Sequence, residues 1–409
     1  MRVAKLRPSS LVCLLIAACI VLALGACDNN HSTDNNHSTV IPPSTLTSSV
    51  AAGDLNGDGR PDLASTKIFI AGPPPHAGQV SVILQSPSSP GVFGSAIDLN
   101  IGSEPQKVSI GDLNGDTFID LVTANGASAN ISILFGNSSS PGTFLTAQNL
   151  GVGAHPSGVA IGDLNGDGHL DIAVADSGLS ILFQNPSAAG TFLSPISLRV
   201  NCSSVVIGDL NADGRPDLVA TSPDAGNVSI ILQSPVGSGN FLSPQTVAAG
   251  FQPIDVAIAH LNADGFPDLA IANLGTPDNP ATASLSVLLN NSLSPGTFLA
   301  ATNYATGARS QSVAVGDLNG DRNVDVVVAN AGSLGNTGSV SVLFQDPGRP
   351  GTFQTAVNRP GTSQPLSVSI VDLNGDTFSD IALADDGVRI LFQIPAQPGN
   401  FQSPILVGN

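Results

Sequence analysis

The sequence predicts an all-β fold, a seven-bladed β-propeller of four-stranded blades. Three observations carry this prediction. An acidic nine-residue string recurs seven times, a Phe-bearing turn recurs seven times in the same phase, and the stretches between them alternate apolar with polar residues. The acidic string reads DLNGDGRPD from Asp54, DLNGDTFID from Asp112, DLNGDGHLD from Asp163 and DLNADGRPD from Asp209. It continues as HLNADGFPD from His260, DLNGDRNVD from Asp317 and DLNGDTFSD from Asp372, at intervals of 46 to 58 residues. The turn marker supplies Phe93, Phe144, Phe192, Phe241, Phe298, Phe353 and Phe401, each beside Gly or Pro.

Each unit divides into four strands. In the second, Lys107 to Gly111 runs toward the acidic loop and Ile119 to Ala124 leaves it. Asn130 to Phe135 is the third strand, and Phe144 to Leu150 the fourth. β-branched residues fill these stretches, and Gly, Asn, Ser and Pro separate them. Units of this length match propeller blades, which close radially and leave only short edges. An open β-solenoid is the alternative, but its repeats are usually shorter and do not need four strands each. The first unit opens on its own first strand near Ser48 to Ala52, and the last ends on its own fourth near Pro404 to Val407. The ring is therefore expected to close in phase, with residues 40–46 left as a candidate edge strand.

The composition agrees. Gly and Pro number 44 and 30, 42% of residues are hydrophobic and only 11% are charged, which suits short strands and turns better than helices. With 31 acidic against 13 basic residues, the formal charge is −18, which disfavours a phosphate-backbone partner.

Residues 1–26 read as a signal peptide. Arg2, Lys5 and Arg7 precede an apolar run from Leu11 to Leu24, too short for a confident span. It ends in Leu24-Gly25-Ala26-Cys27, which resembles a bacterial lipobox and implies lipidation of Cys27; Ile16-Ala17-Ala18-Cys19 is a second match that cuts the apolar run short. An ordinary secretory signal or an uncleaved anchor is the competing reading. More than one acyl chain at Cys27 would anchor stably. Residues 27–47 then form a lipidated, flexible tether, in which DNNHST occurs twice before Pro42-Pro43; His31 and His37 read as solvated spacer residues. The propeller spans 48–409. Cys202 is the one remaining cysteine of the mature fold, expected to be a small buried residue rather than a reactive thiol.

The loop pattern D-x-N-x-D-G-x-x-D places oxygen-bearing side chains at positions 1, 3, 5 and 9, a turn-permitting Gly at 6, and a backbone carbonyl within reach at 7. A hard cation such as Ca²⁺ takes six to eight oxygens in a flexible shell. The start of the pattern is like an EF-hand loop, but the Glu at position 12 is absent and strands flank it. From the first strand to the C-terminus the chain resembles the FG-GAP or VCBS repeat family, the integrin-α-like propellers. The resemblance implies that this loop joins a blade's first two strands and binds structural calcium.

Carried over by position, the implied ligands of the first unit are Asp54, Asn56, Asp58, Asp62 and the Arg60 carbonyl. The third unit offers Asp163, Asn165, Asp167 and Asp171, and the fourth Asp209, Asn211, Asp213 and Asp217; these three units keep Gly59, Gly168 and Gly214 at position 6. The second (Asp112, Asn114, Asp116, Asp120), sixth (Asp317, Asn319, Asp321, Asp325) and seventh (Asp372, Asn374, Asp376, Asp380) keep the ligands but carry Thr117, Arg322 and Thr377 at position 6. If that position needs positive φ, these residues cost energy. The fifth has His260 at position 1 beside Asn262, Asp264 and Asp268, and a neutral imidazole is a poor calcium ligand. The simpler reading is a metal-free Asx-turn. Against it, twenty of the 31 acidic residues sit in these loops, and a turn needs one carboxylate rather than three.

No catalytic set is found: no GxSxG, HExxH or phosphate-cradling loop is present. His76, His155, His169 and His260 lie in no triad or zinc pattern, and Glu104, the only Glu, sits in a loop beside Pro. The expected function is therefore a non-enzymatic binding or adhesion module, a monomeric ring in the bacterial envelope or on its surface, with a protein or glycan ligand. A carbohydrate-binding module and a polysaccharide-acting enzyme are the alternatives; the lack of Trp and the single Tyr304 weigh against sugar platforms. The acidic loops and Phe turns should share one face. The other should carry the variable loops, long at residues 67–79, 273–283 and 330–338 and short at 176–178 and 385–387.

Overall fold

The computed structural model describes residues 45–70, 74–276, 278–333 and 337–408. The expected signal peptide, Cys27 and the tether up to residue 44 lie outside them. Blade 1 consists of β1 (Thr45–Gly53), β2 (Asp62–Phe69), β3 (Gly78–Ile83) and β4 (Ile97–Ile101). Blade 2 consists of β5 (Pro105–Gly111), β6 (Asp120–Asn125), β7 (Asn130–Leu134) and β8 (Gln148–Gly151). All seven sheets have four antiparallel strands in sequential order, so each blade is built from one repeat.

Most strand ends fall within two residues of the expected ones, as in β5, β6 and β7, and two boundaries differ by more. β1 begins at Thr45, so the last residues of the expected tether and of the candidate edge strand extend the first strand of blade 1. The fourth strand of blade 2 begins at Gln148 rather than Phe144. Phe144 instead forms a separate bridge with Gly136, and all seven marker Phe make the equivalent bridge. The alternation signal cannot separate a one-residue bridge from the strand that follows it.

The main hydrophobic core lies between blades; a small cluster of Leu46, Ile68 and Ile70 lies within blade 1. Seven buried clusters each straddle one blade junction. Ala64, Val80 and Val82 of blade 1 pack on Val108, Leu121 and Leu134 of blade 2. Val50, Leu63 and Ile83 pack on Ala382, Val388 and Ile390 of the last blade. The latter closes the ring with a parallel bridge between Ser95 and Gly408, in phase as expected. The Leu at position 2 of every acidic loop is buried and anchors the loop to this core.

The first strands line the central channel. Each ends where the acidic loop begins, and the pairing is the same around the ring: Gly53 opposes Asp62, Gly111 opposes Asp120, and Gly162 opposes Asp171. The Phe turns share this face. The turn glycine of one blade sits against the loop Asn of the preceding blade: a Cβ on Gly142 would lie 3.2 Å from Asn56 Cβ, and one on Gly239 would lie 3.3 Å from Asn165 Cβ. Gly91 meets Asn374 in the same way across the closure. On the opposite face the connections between blades bond to the loops after each second strand, as when the N–H groups of Gly126 and Leu274 donate to the carbonyls of Glu104 and Gln252.

Candidate metal centre

The first acidic loop is wound around one carboxylate. Asp54 Oδ1 accepts the N–H groups of Gly57 at 2.7 Å and Asp58 at 3.1 Å, and Oδ2 accepts that of Gly59 at 2.7 Å. Asn56 and Asp58 each close a smaller Asx-turn onto Asp58 and Arg60. Position 9 is different. Asp62 is fully buried; its Oδ2 accepts Leu55 N–H at 3.0 Å and its Oδ1 accepts Gln85 N–H at 2.7 Å. It therefore ties the start of the loop to the end of the third strand. Asp120, Asp171, Asp217, Asp268, Asp325 and Asp380 repeat this bridge.

Position 6 does require positive φ. Gly59, Gly168 and Gly214 have φ of 82°, 85° and 80°, while Thr117, Arg322 and Thr377 are held at 74°, 68° and 74°. The N–H of each of these three donates to Oδ2 of its position-1 Asp, which holds the residue in the left-handed region. No atom stands within 4 Å of a Cβ built on Gly59 or Gly168, so the cost at this position is backbone strain and not collision. Thr377→Gly should accordingly stabilise the chain by about 1 kcal/mol in a urea melt.

Position 4, which the sequence reading passed over, is left-handed too: Gly57, Gly115 and Gly166 have φ of 76°, 75° and 72°, and Ala212 is held at 58°. The fourth loop thus carries strain that its Gly214 conceals. The fifth loop is rebuilt. With His260 in place of Asp, Ala263 is not among the positive-φ residues, and Asp268 Oδ2 takes the N–H of Asn262 as well as Leu261. The Asx-turns of Asn262 and Asp264 persist.

The donor set is all oxygen, which suits a hard cation over zinc or copper. Burial raises the Asp62 carboxyl from 3.8 to about 6, its two backbone hydrogen bonds oppose this, and the nearby charges of Asp58 and Asp54 push it up further. The other position-9 Asp carboxyls are raised to about 6 in the same way, and Asp380 to about 7. Uncompensated negative charge at a buried carboxylate is what a divalent cation would relieve. On the other side, among the described residues no three acidic, His or Cys side chains converge closely enough to form a preformed metal cluster. Loop oxygens already accept one or more N–H groups, so a cation would have to use their remaining lone pairs or draw carboxylates out of the Asx-turns. The residues fit calcium by chemistry. The ligands would be the side chains at positions 1, 3, 5 and 9 and the carbonyl at position 7.

Sequence reasoning missed the residue that couples this loop to the Phe turn. Gln85 donates its backbone N–H to Asp62 and its Nε2–H to Pro61 O, and its Oε1 accepts Gly91 N–H. Gln184 and Asn290 do the same in their blades. An amide recurs at this place in most units, a signal hidden beside the stronger Phe marker. Sequence reasoning also missed the buried Asp176 and Asp385 in the short loops of the other face. There Asp176 accepts the N–H groups of Gly153 and Gly178 and the Ser180 hydroxyl, a turn-closing role. Cys202 is buried, its Sγ donates to Gly178 O at 3.0 Å, and burial pushes the thiol up to about 12, so it is an inert packing residue.

This loop and blade plan matches known proteins. FG-GAP-like repeats match at 112–174, 168–220, 209–271, 261–328 and 318–383, and an FG-GAP repeat at 46–83. The chain belongs to the FG-GAP repeat family. No curated protein matches it significantly. Among solved structures, BBS1N in complex with ARL6DN superimposes with a TM-score of 0.56 at 14% identity, covering 87% of this chain and 94% of that one. A protein from Lactobacillus plantarum superimposes with a TM-score of 0.52 at 12% identity, covering 78% and 86%. At these identities the likeness concerns the fold alone. FG-GAP repeats are typical of extracellular proteins, and among the described residues no helix is long and apolar enough to cross a membrane.

Proposed function

We propose that this FG-GAP propeller is a calcium-stabilised, non-enzymatic binding or adhesion module, held outside the cytoplasm through lipid on Cys27. The observation that supports it best is the division of labour between faces. One face repeats the same acidic loop and leaves little room for individuality. The other carries connections that differ from blade to blade, and in rigid scaffolds such loops bear recognition. The longest, at residues 70–77, 274–283 and 331–337, belong to blades 1, 5 and 6; the first is shorter than the expected 67–79, because Lys67 pairs with Gln79 and Ile68 with Gly78 as strands. Beside the blade 5 loop stands Phe251, half exposed, whose carbonyl accepts Gly275 N–H. An exposed aromatic on a hydrogen-bonded loop is a fit anchor for a partner.

A carbohydrate ligand is the second reading, and Phe251 is the side chain that favours it. Tyr304 offers no platform: it packs edge-on against Phe353 with ring centroids 5.7 Å apart, and its hydroxyl accepts Phe353 N–H. The test uses the full chain with its three long loops replaced by turns like 176–178, alongside Phe251→Ser. Isolated envelope fractions and a glycan array are the probes. Binding should fall about tenfold or more in both variants. Undiminished binding would refute the recognition face, and a glycan signal that depends on Phe251 would select the carbohydrate ligand.

A further inference from the structure

The channel wall carries the Lys107 ammonium, ion-paired with Asp255 but without a hydrogen bond to it. Five residues before each acidic loop, the first strands place one side chain at the channel wall. Five blades use a small residue there: Ser49, Gly158, Ser204, Ser312 and Ser367. In four blades this side chain accepts an N–H from the next blade. Ser49 Oγ accepts Val108 N–H at 3.2 Å, Ser312 Oγ accepts Val368 N–H at 3.4 Å, and Ser367 Oγ accepts Val50 N–H at 3.4 Å across the ring closure. Asp255 does the same in blade 5, its Oδ2 accepting Val313 N–H at 3.1 Å. Lys107 cannot, because an ammonium has no acceptor; Gly158 has no side chain to do so, and the Ser204 hydroxyl donates to Asp255 instead.

Asp255 is the counter-charge of Lys107 but does not hydrogen-bond it. Its Oδ1 accepts the Ser204 hydroxyl at 2.9 Å and its Oδ2 that of Ser312 at 2.8 Å. The Lys107 ammonium approaches Oδ1 only to 3.7 Å, beyond hydrogen-bond distance. Among the described residues the ammonium has no hydrogen-bond partner, and it is partly exposed to a cavity of about 100 Å³ at the channel mouth, on the face away from the acidic loops. Gln106, Ser157, Gln311 and Leu366 share that cavity.

We propose that this mouth binds a small carboxylate anion on Lys107. The cavity is several-fold smaller than a drug-sized pocket and admits a carboxylate with a short chain. The hydroxyls of Ser157, Ser204 and Ser312 already donate elsewhere, so the donors to its second oxygen are the side-chain amides of Gln106 and Gln311 and the Ser367 hydroxyl, and Leu366 is an apolar contact for the chain. A dianion such as phosphate is disfavoured by Asp255 beside the same ammonium.

The test is saturation-transfer NMR on the full chain at constant calcium, with propionate and its neutral isostere propionamide as probes. Propionate should bind in the roughly millimolar range expected of so few atoms, and propionamide should not. Lys107→Gln should weaken propionate by about tenfold or more, and Lys107→Arg should retain it. A galacturonate arm distinguishes a free small acid from the carboxylate of a sugar acid reaching in from outside. Equal signals from the two isosteres, or undiminished binding by Lys107→Gln, would overturn the proposal. Should Lys107→Gln not fold, the Nζ resonance of Lys107 in the unmodified chain decides: no propionate-dependent shift beyond that of the other lysines overturns it.

Discussion

In the presence of a chelator, the melting temperature should fall as pH rises from about 4 to about 7, and calcium should abolish or reverse that fall. The cause is the seven buried carboxyls at position 9. Burial lifts Asp62 and its counterparts from 3.8 to about 6, and Asp380 to about 7. A carboxyl whose folded value is raised holds its proton in the native state after the unfolded chain has released it. Stability is therefore favoured below the unfolded value and is lost as pH climbs through the folded one. The formal charge of −18 works in the same direction once those groups ionise. Calcium competes with protons for these carboxylates, so it binds better above the window than below it. Calorimetric scans with calcium and with chelator, at several pH values across the window, test this. Parallel curves in the two conditions would mean that the cation does not reach the position-9 carboxylates.

The second large effect is expected at a single side chain. Asp171→Ala should cost about 2–6 kcal/mol, because it leaves two buried N–H groups, of Leu164 and Gln184, without an acceptor. In chelator above the folded value of about 6, part of this cost is offset, since the variant also removes a buried charge. Asp167→Ala is the contrast. Asp167 is exposed and its Oδ1 takes the N–H of His169, so its loss should cost about 1 kcal/mol or less in chelator. Both variants should remove one calcium site. Urea melts of the two variants in chelator separate the structural role of position 9 from the ligand role of position 5, and equal losses would show that the buried bridge contributes nothing of its own.

The fold was largely legible because its strongest determinants are local and repeated. Asp54-Leu55-Asn56 and its copies mark the turn from first to second strand, the buried Leu marks the junction core, and the Phe turn marks the third connection. What escaped depends on contacts between blades or on backbone angles. Nothing local to SSPGTF says that Gly142 must approach Asn56 of the preceding blade. Nothing local to Ala212 shows that it is left-handed until the loop is seen wound around Asp209. The fifth loop was expected to bind cation weakly from His260 alone; the structure adds a physical reason, since without a carboxylate at position 1 the winding is lost and Asn262 turns its N–H to Asp268. Lys107 looked like one more residue of an alternating strand. Only its place at the channel wall, at a position the other six blades give to Ser, Gly or Asp, makes it unusual.

The central claim is that the acidic loops are calcium sites that stabilise the ring. Calcium titration of the full chain by isothermal calorimetry, with the melting temperature followed on the same samples, tests it directly. A saturable heat is expected, drawn from the six loops that retain Asp at position 1, with a melting temperature that rises with calcium and drops on chelation. No heat of binding, together with a melting temperature unmoved by chelator, would contradict it and leave the loops as metal-free Asx-turns.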